Sequence, residues 1–378
     1  MIPFDFFYKA FYDNFLKKLS LKCFHINLIE TDIGNSISIM SDDLKIKNSN
    51  CIIFYDQEPI DLYHSEIDIS SLSRVIDVSL VRNRILVTSE YSTEQGVLSS
   101  KLRSKHVHYF YHALICHEWY REYWFRNIQI NNKFDRLYIT YNNLILDKRL
   151  YRANLIVELH KNSLLEHGYV SYNNSDSSGI EKSANSYVLL PSAHKTNILS
   201  HLDLLTQQLS IDTKHQHGSL SAEINIESMQ KAFVNLVTET VFYENKVHLT
   251  EKTFKPIIAK MPFILMAGAG NLAYLRKYGF KTFGDFWDEG YDSISNNVDR
   301  FNAVIDILKY LSELPHSRLV EMREEMRDIL EYNYNHFFIT MKPIVVKEFI
   351  ENLGTALGES QVEFDPVDLE SLHQLLLY

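Results

Sequence analysis

The run FYENKVHLTEKTFKPI, residues 242–257, sets a threonine, a carboxylate and an ammonium side by side, Thr250, Glu251 and Lys252, where polar sequence gives way to apolar. Threonine caps helices well, so a helix is expected to begin at Leu249 or Thr250 with Glu251 and Lys252 in its first turn. The start of a helix attracts anions. A diphosphate can lie there with Lys252, and Lys255 one turn on, as cationic partners, while Glu251 can accept hydrogen bonds from ribose hydroxyls. The plainer role for Glu251 is to favour the helix dipole, with the two lysines in solvent.

Such a motif needs a frame. The first third of the chain alternates short apolar strands, CFHINLI, CIIFYD, RILVTSE and HVHYFYH, with helical or loop segments, as α/β proteins do. A polar stretch, RNIQINNKF, ends near Phe134, and a strand-helix-strand unit follows: RLYITYN, Asp147 to Leu165, GYVSYN. The Ser/Asn-rich segment NNSDSSGIEKSANS is expected to be a surface loop. Next come strand YVLLP, helix NILSHLDLLTQQL, strand AFVNLVTET, the Thr-Glu-Lys motif, strand MPFILMA, helix NLAYLRKYG and further helices from Asn297. The fold class expected is α/β, with domains at 1–133 and 134–352 and a helical tail at 353–378. Ligands of such sheets sit outside the carboxyl ends of the strands.

FYEN followed by LTEK, then an apolar strand ending in glycine, resembles the donor-site motif of the α-1,3/4-fucosyltransferases, in which Phe-Glu-Asn-Ser precedes Tyr-Val-Thr-Glu-Lys. The resemblance implies that Asn245, Glu251 and Lys252 hold the nucleotide of a sugar donor, with Thr250 beside them and Tyr243 and Glu244 as further candidates. The spacer is shorter here, and His248 stands where the family has a donor-contacting tyrosine, which leaves base and sugar open. The family also uses an arginine in the first helix of its second domain. ITYNNLILDKRLYRANLIVEL offers Arg152, and Arg149 one turn earlier, whose guanidinium fork suits a diphosphate.

CIIFYDQEPIDLYHSE looks like the family's Phe-Glu-Ser-Pro segment, which makes Glu58 the implied catalytic base and Asp56 its competitor. An inverting transferase must take a proton from the acceptor hydroxyl, and a glutamate within hydrogen-bond reach can do so. The resemblance implies a GT-B-like pair of Rossmann-type domains, the first binding acceptor and the second a GDP- or UDP-linked sugar. No cofactor beyond that co-substrate is expected. The acceptor expected is a glycan or polysaccharide hydroxyl; a hydroxymethylated base in DNA is the alternative, and a non-catalytic carbohydrate-binding or assembly protein is a third reading.

Several classes lose ground on composition. The formal net charge of -10 leaves no global basic footprint for nucleic acid, although a local groove decides that question. Three cysteines without CxxC spacing suggest neither a disulfide framework nor a zinc knuckle, and fit a reducing, cytoplasmic setting. The apolar window Pro256 to Leu275 is broken by Lys260, Pro262, Gly268 and Gly270, so no membrane span is expected. No GxGxxG or GxxxxGK[ST] loop is present. His106, His108, His112 and His117 cluster along one segment, but no acid or cysteine stands at ligand spacing, and no metal site is expected.

Overall fold

Strands buried on both faces read as unbroken apolar runs, and the computed structural model pairs these runs into two parallel sheets. It describes residues 23–27, 51–55, 83–92, 94–172, 176–207 and 221–358. The chain divides into two units, one of Met1–Glu118 with Pro343–Tyr378 and the other of Trp119–Lys342. The boundary expected at 133/134 falls inside the second unit, and the one expected at 352/353 falls inside the last described helix.

In the first unit, β1 (Cys23–Asn27), β2 (Cys51–Tyr55), β3 (Asn83–Thr88) and β4 (Lys105–His108) lie in that order, each parallel to its neighbour. Helix α1 (Glu94–Leu102) connects β3 to β4. The strand expected over HVHYFYH stops at His108, and after Tyr109 and Phe110 α2 (Tyr111–Tyr120) takes over. The segment Pro343–Tyr378 joins this unit for a specific reason. On α11 (Met341–Leu357) the Glu348 carboxylate accepts from Phe110 N at 3.2 Å, Asn352 donates to the His108 carbonyl, and Phe349 packs on the Tyr109 ring.

The second unit carries β5 (Arg136–Asn142), β6 (Gly168–Tyr172), β7 (Ala232–Thr238) and β8 (Phe263–Met266) in the order β8-β7-β5-β6, all parallel. Every residue of β7 and β8 is buried. From β5 the chain crosses through α3 (Leu150–Lys161) to β6 on one side, then returns to β7 on the other. The winding therefore reverses between β5 and β7, and it is outside the carboxyl ends of such a pair of strands that α/β sheets bind ligands. The segments leaving these two strands lead to the candidate donor residues.

Two sequence expectations are corrected here. Ser177–Ser186 of the presumed surface loop forms helix α4, capped by Asp176, whose carboxylate accepts from Gly179 N at 2.7 Å; Ile180, Ser183 and Ala184 form its buried face. The expected strand YVLLP is instead a turn between α4 and α5 (Ser192–Leu199), closed by Leu190 N donating to Tyr187 O. Tyr187 and Leu190 tuck inward there, whereas Val188 stays 70 % exposed, so the run never presents the two faces of a strand.

After β7 come α6 (Glu251–Ile258), β8, α7 (Asn271–Lys277) and the helices α8 (Asn297–Glu313), α9 (His316–Glu325) and α10 (Arg327–Asn335). Buried arginines tie these to the strand ends. Arg300 donates to the carbonyls of Ala267, Phe242 and Ile294, and Arg323 to those of Asn131, Ala232 and Phe233. No helix among the described residues is long and apolar enough to cross a membrane.

Candidate functional site

Thr250 is the N-cap of α6. It has extended backbone, and its hydroxyl oxygen faces Lys252 N at 3.5 Å, at the edge of hydrogen-bonding range. Glu251 and Lys252 follow in the first turn, and the Lys252 ammonium lies 2.8 Å from Glu251 Oε1, 3.2 Å from Thr250 Oγ1 and 3.4 Å from Thr240 Oγ1. Burial alone would raise the pKa of Glu251; bonding to Lys252 and the charge of Lys255 outweigh it and hold the carboxyl down to about 2.

Beneath this turn lies a residue that motif reading missed. Glu239, the first residue past β7, is fully buried. Its Oε1 accepts from Thr250 N at 3.0 Å and from the Thr253 hydroxyl at 2.6 Å, and its Oε2 accepts from the Thr250 hydroxyl at 2.7 Å and Thr240 N at 3.2 Å. Four donors and the positive end of α6 offset the cost of burying a carboxylate. One clue was available: an acid at the carboxyl end of a mostly apolar strand, FVNLVTET, stands where parallel sheets keep their ligands.

Arg152 approaches the same point from β5's side. It lies on α3, 2 % exposed, and its guanidinium donates to the carbonyls of Thr238 at 2.8 Å, Glu239 at 3.0 Å and Leu144 at 3.1 Å. The Tyr151 hydroxyl donates to the same Glu239 carbonyl. Arg152 thus ties the chain leaving β5 to the end of β7 through carbonyl oxygens. Arg149 is the N-cap residue of α3 and is partly exposed.

The FYEN segment faces mostly inward. Phe242 stacks on Tyr151, with ring centroids 4.7 Å apart, beneath the Arg300 guanidinium. The Tyr243 hydroxyl meets His194 Nδ1 at 2.9 Å, and burial raises the pKa of Tyr243 well above its usual range. Glu244 is buried against Lys246, 2.9 Å away. Asn245 is exposed.

His248 is buried, and its backbone N–H donates to Asn271 Oδ1, while Asn271 Nδ2 donates to the Lys246 and Gly268 carbonyls. That amide clamp fixes the approach to α6. A Cβ on Gly268 would lie 2.6 Å from the Lys246 carbonyl oxygen, so only glycine fits this passage.

The structure therefore gathers Thr250, Glu251, Lys252 and Arg152 around Glu239, leaves Asn245 at the surface and turns Tyr243 and Glu244 inward. Glu58 and Asp56 lie outside the described residues. The four histidines have separate surroundings: His106 meets the Thr88 hydroxyl at 2.7 Å, His108 stacks on Tyr91, His112 stacks on Tyr111 and His117 lies 3.6 Å from Glu118. Among the described residues no group of His, Cys, Asp and Glu could hold a metal ion. No protein-family model matches the chain, and no curated protein matches its sequence.

Proposed function

We propose that the protein is a nucleotide-sugar-dependent glycosyltransferase, inverting and GT-B-like, whose second unit binds a GDP- or UDP-linked sugar. One observation carries this reading: the segments that leave the two strands between which the sheet reverses its winding lead on one side to Arg149 and to Arg152 in the first turn of α3, and on the other to Thr250 and to Glu251 and Lys252 in the first turn of α6. Lys252 would meet the diphosphate and Glu251, ionised throughout the neutral range, the ribose hydroxyls. Protein cations would balance the charge that develops on the leaving diphosphate. Arg152 supports these segments as a brace, because its donors already serve three carbonyls. Glu58 is the proposed base toward a glycan or polysaccharide hydroxyl.

Thermal unfolding in the presence of GDP, UDP, CMP and dTDP compounds tests the donor site. A ligand at a hundred times its Kd stabilises by about 2.7 kcal/mol, which for a unit of this size raises Tm by roughly 5–10 °C. Lys252→Ala should abolish most of that rise. No stabilisation by any of these nucleotides would overturn the reading. Loss of donor hydrolysis in Glu58→Gln with nucleotide binding retained would separate an enzyme from a carbohydrate-binding protein.

A further inference from the structure

A diphosphate at the start of α6 would ordinarily find unpaired backbone N–H groups. Here three of them are engaged from within. Thr250 N is held by Glu239 Oε1, Lys252 N faces the Thr250 hydroxyl at 3.5 Å, and Thr253 N donates to the Thr250 carbonyl. Glu239 supplies accepting carboxyl oxygens from within the protein where those of an external anion would otherwise sit. A phosphate group can instead meet the Lys252 ammonium, whose contacts are Glu251 Oε1 and the hydroxyls of Thr250 and Thr240. Both threonines are tied to Glu239, Thr250 by its hydroxyl and backbone N–H and Thr240 by its backbone N–H.

We infer that Glu239 is a positioning residue for nucleotide binding, which acts through Thr250 and Thr240 to fix the Lys252 ammonium at the carboxyl end of β7. This rests on the donor-site reading above. Glu239 is fully buried and is given no contact with the ligand. Its effect on affinity therefore passes through Lys252. A residue that merely stabilises the fold would lower affinity whether or not Lys252 is present.

That difference sets the test, a double-mutant cycle read by isothermal titration with GDP and UDP on the full chain. Glu239→Gln keeps size but replaces one accepting oxygen with a donor, so it disrupts the contacts of either Oε1 or Oε2. It should weaken binding of the preferred nucleotide about tenfold in the wild-type background and no more than about twofold when Lys252 is alanine. If Glu239→Gln does not fold, Thr253→Val removes one donor to Oε1 and should give a smaller loss with the same dependence on Lys252.

Equal losses in both backgrounds, or no loss in either, would overturn this inference and leave the donor site standing. If neither nucleotide binds the wild-type protein while the wider nucleotide screen is also negative, the donor-site reading falls and this inference with it.

Discussion

Acidification should destabilise the second unit through one buried ring. His194, on α5, is 4 % exposed, with Nδ1 2.9 Å from the Tyr243 hydroxyl and its ring against Phe301. Burial disfavours the imidazolium and, against a smaller upward pull from Glu158, lowers the pKa from 6.5 to about 4. A histidine with a depressed folded-state pKa binds fewer protons folded than unfolded. Its stability contribution is therefore intact above about pH 6.5 and is withdrawn as pH falls toward about 4.

Between about pH 7.5 and pH 5 the loss amounts to about 2 kcal/mol. Urea unfolding at both pH values, for wild type and for His194→Gln, measures it. His106 and His336 also have lowered pKa values, so the informative quantity is the difference between the two proteins. Glutamine does not titrate and can still meet the Tyr243 hydroxyl, so the variant should lose about 2 kcal/mol less than wild type. Equal losses, within about 0.5 kcal/mol, would refute the reasoning.

Two further substitutions probe the frame of the site. Gly268→Ala forces a Cβ to within 2.6 Å of the Lys246 carbonyl oxygen and 3.3 Å of the Glu244 oxygen, and should cost about 1–3 kcal/mol in urea unfolding while weakening nucleotide binding. An unchanged unfolding midpoint would show that the loop yields easily. Arg323→Met leaves the Ala232, Phe233 and Asn131 carbonyls without their guanidinium donor, in a site whose burial holds the arginine pKa down to about 9. It should lower stability by about 3 kcal/mol, and a calorimetric Tm within about 1 °C of wild type would refute that role.

The strands and the start of α6 were legible because their causes are local. An apolar run of strand length, a threonine before an acid and a glycine after MPFILMA each act over a few residues. Helix α4 was hidden for the opposite reason. Its four serines, Gly179 and Asn185 are weak helix formers, and it depends on burying Ile180 and Ala184 in a face that composition does not reveal. The turn at Tyr187–Pro191 was misread because four apolar-looking residues carry no period long enough to separate a strand from an inward-tucked turn.

The membership of α11 in the first unit rests on contacts between residues more than two hundred positions apart, such as Phe110 with Glu348 and His108 with Asn352.

By itself the sequence determined the α/β character, the strand segments other than the misread YVLLP, and the position of Thr250, Glu251 and Lys252 at a helix start, since hydrophobic period and capping are properties of short segments. Only the tertiary structure decided that the winding reverses between β5 and β7, so that the helix starts carrying Arg152 and Lys252 follow neighbouring strands. It alone also showed Glu239 beneath them. A carboxylate at a strand end is ordinarily solvated; here the chain returns Thr250 and Thr253 to it, 11 and 14 residues later, and so supplies the donors that let it stay buried.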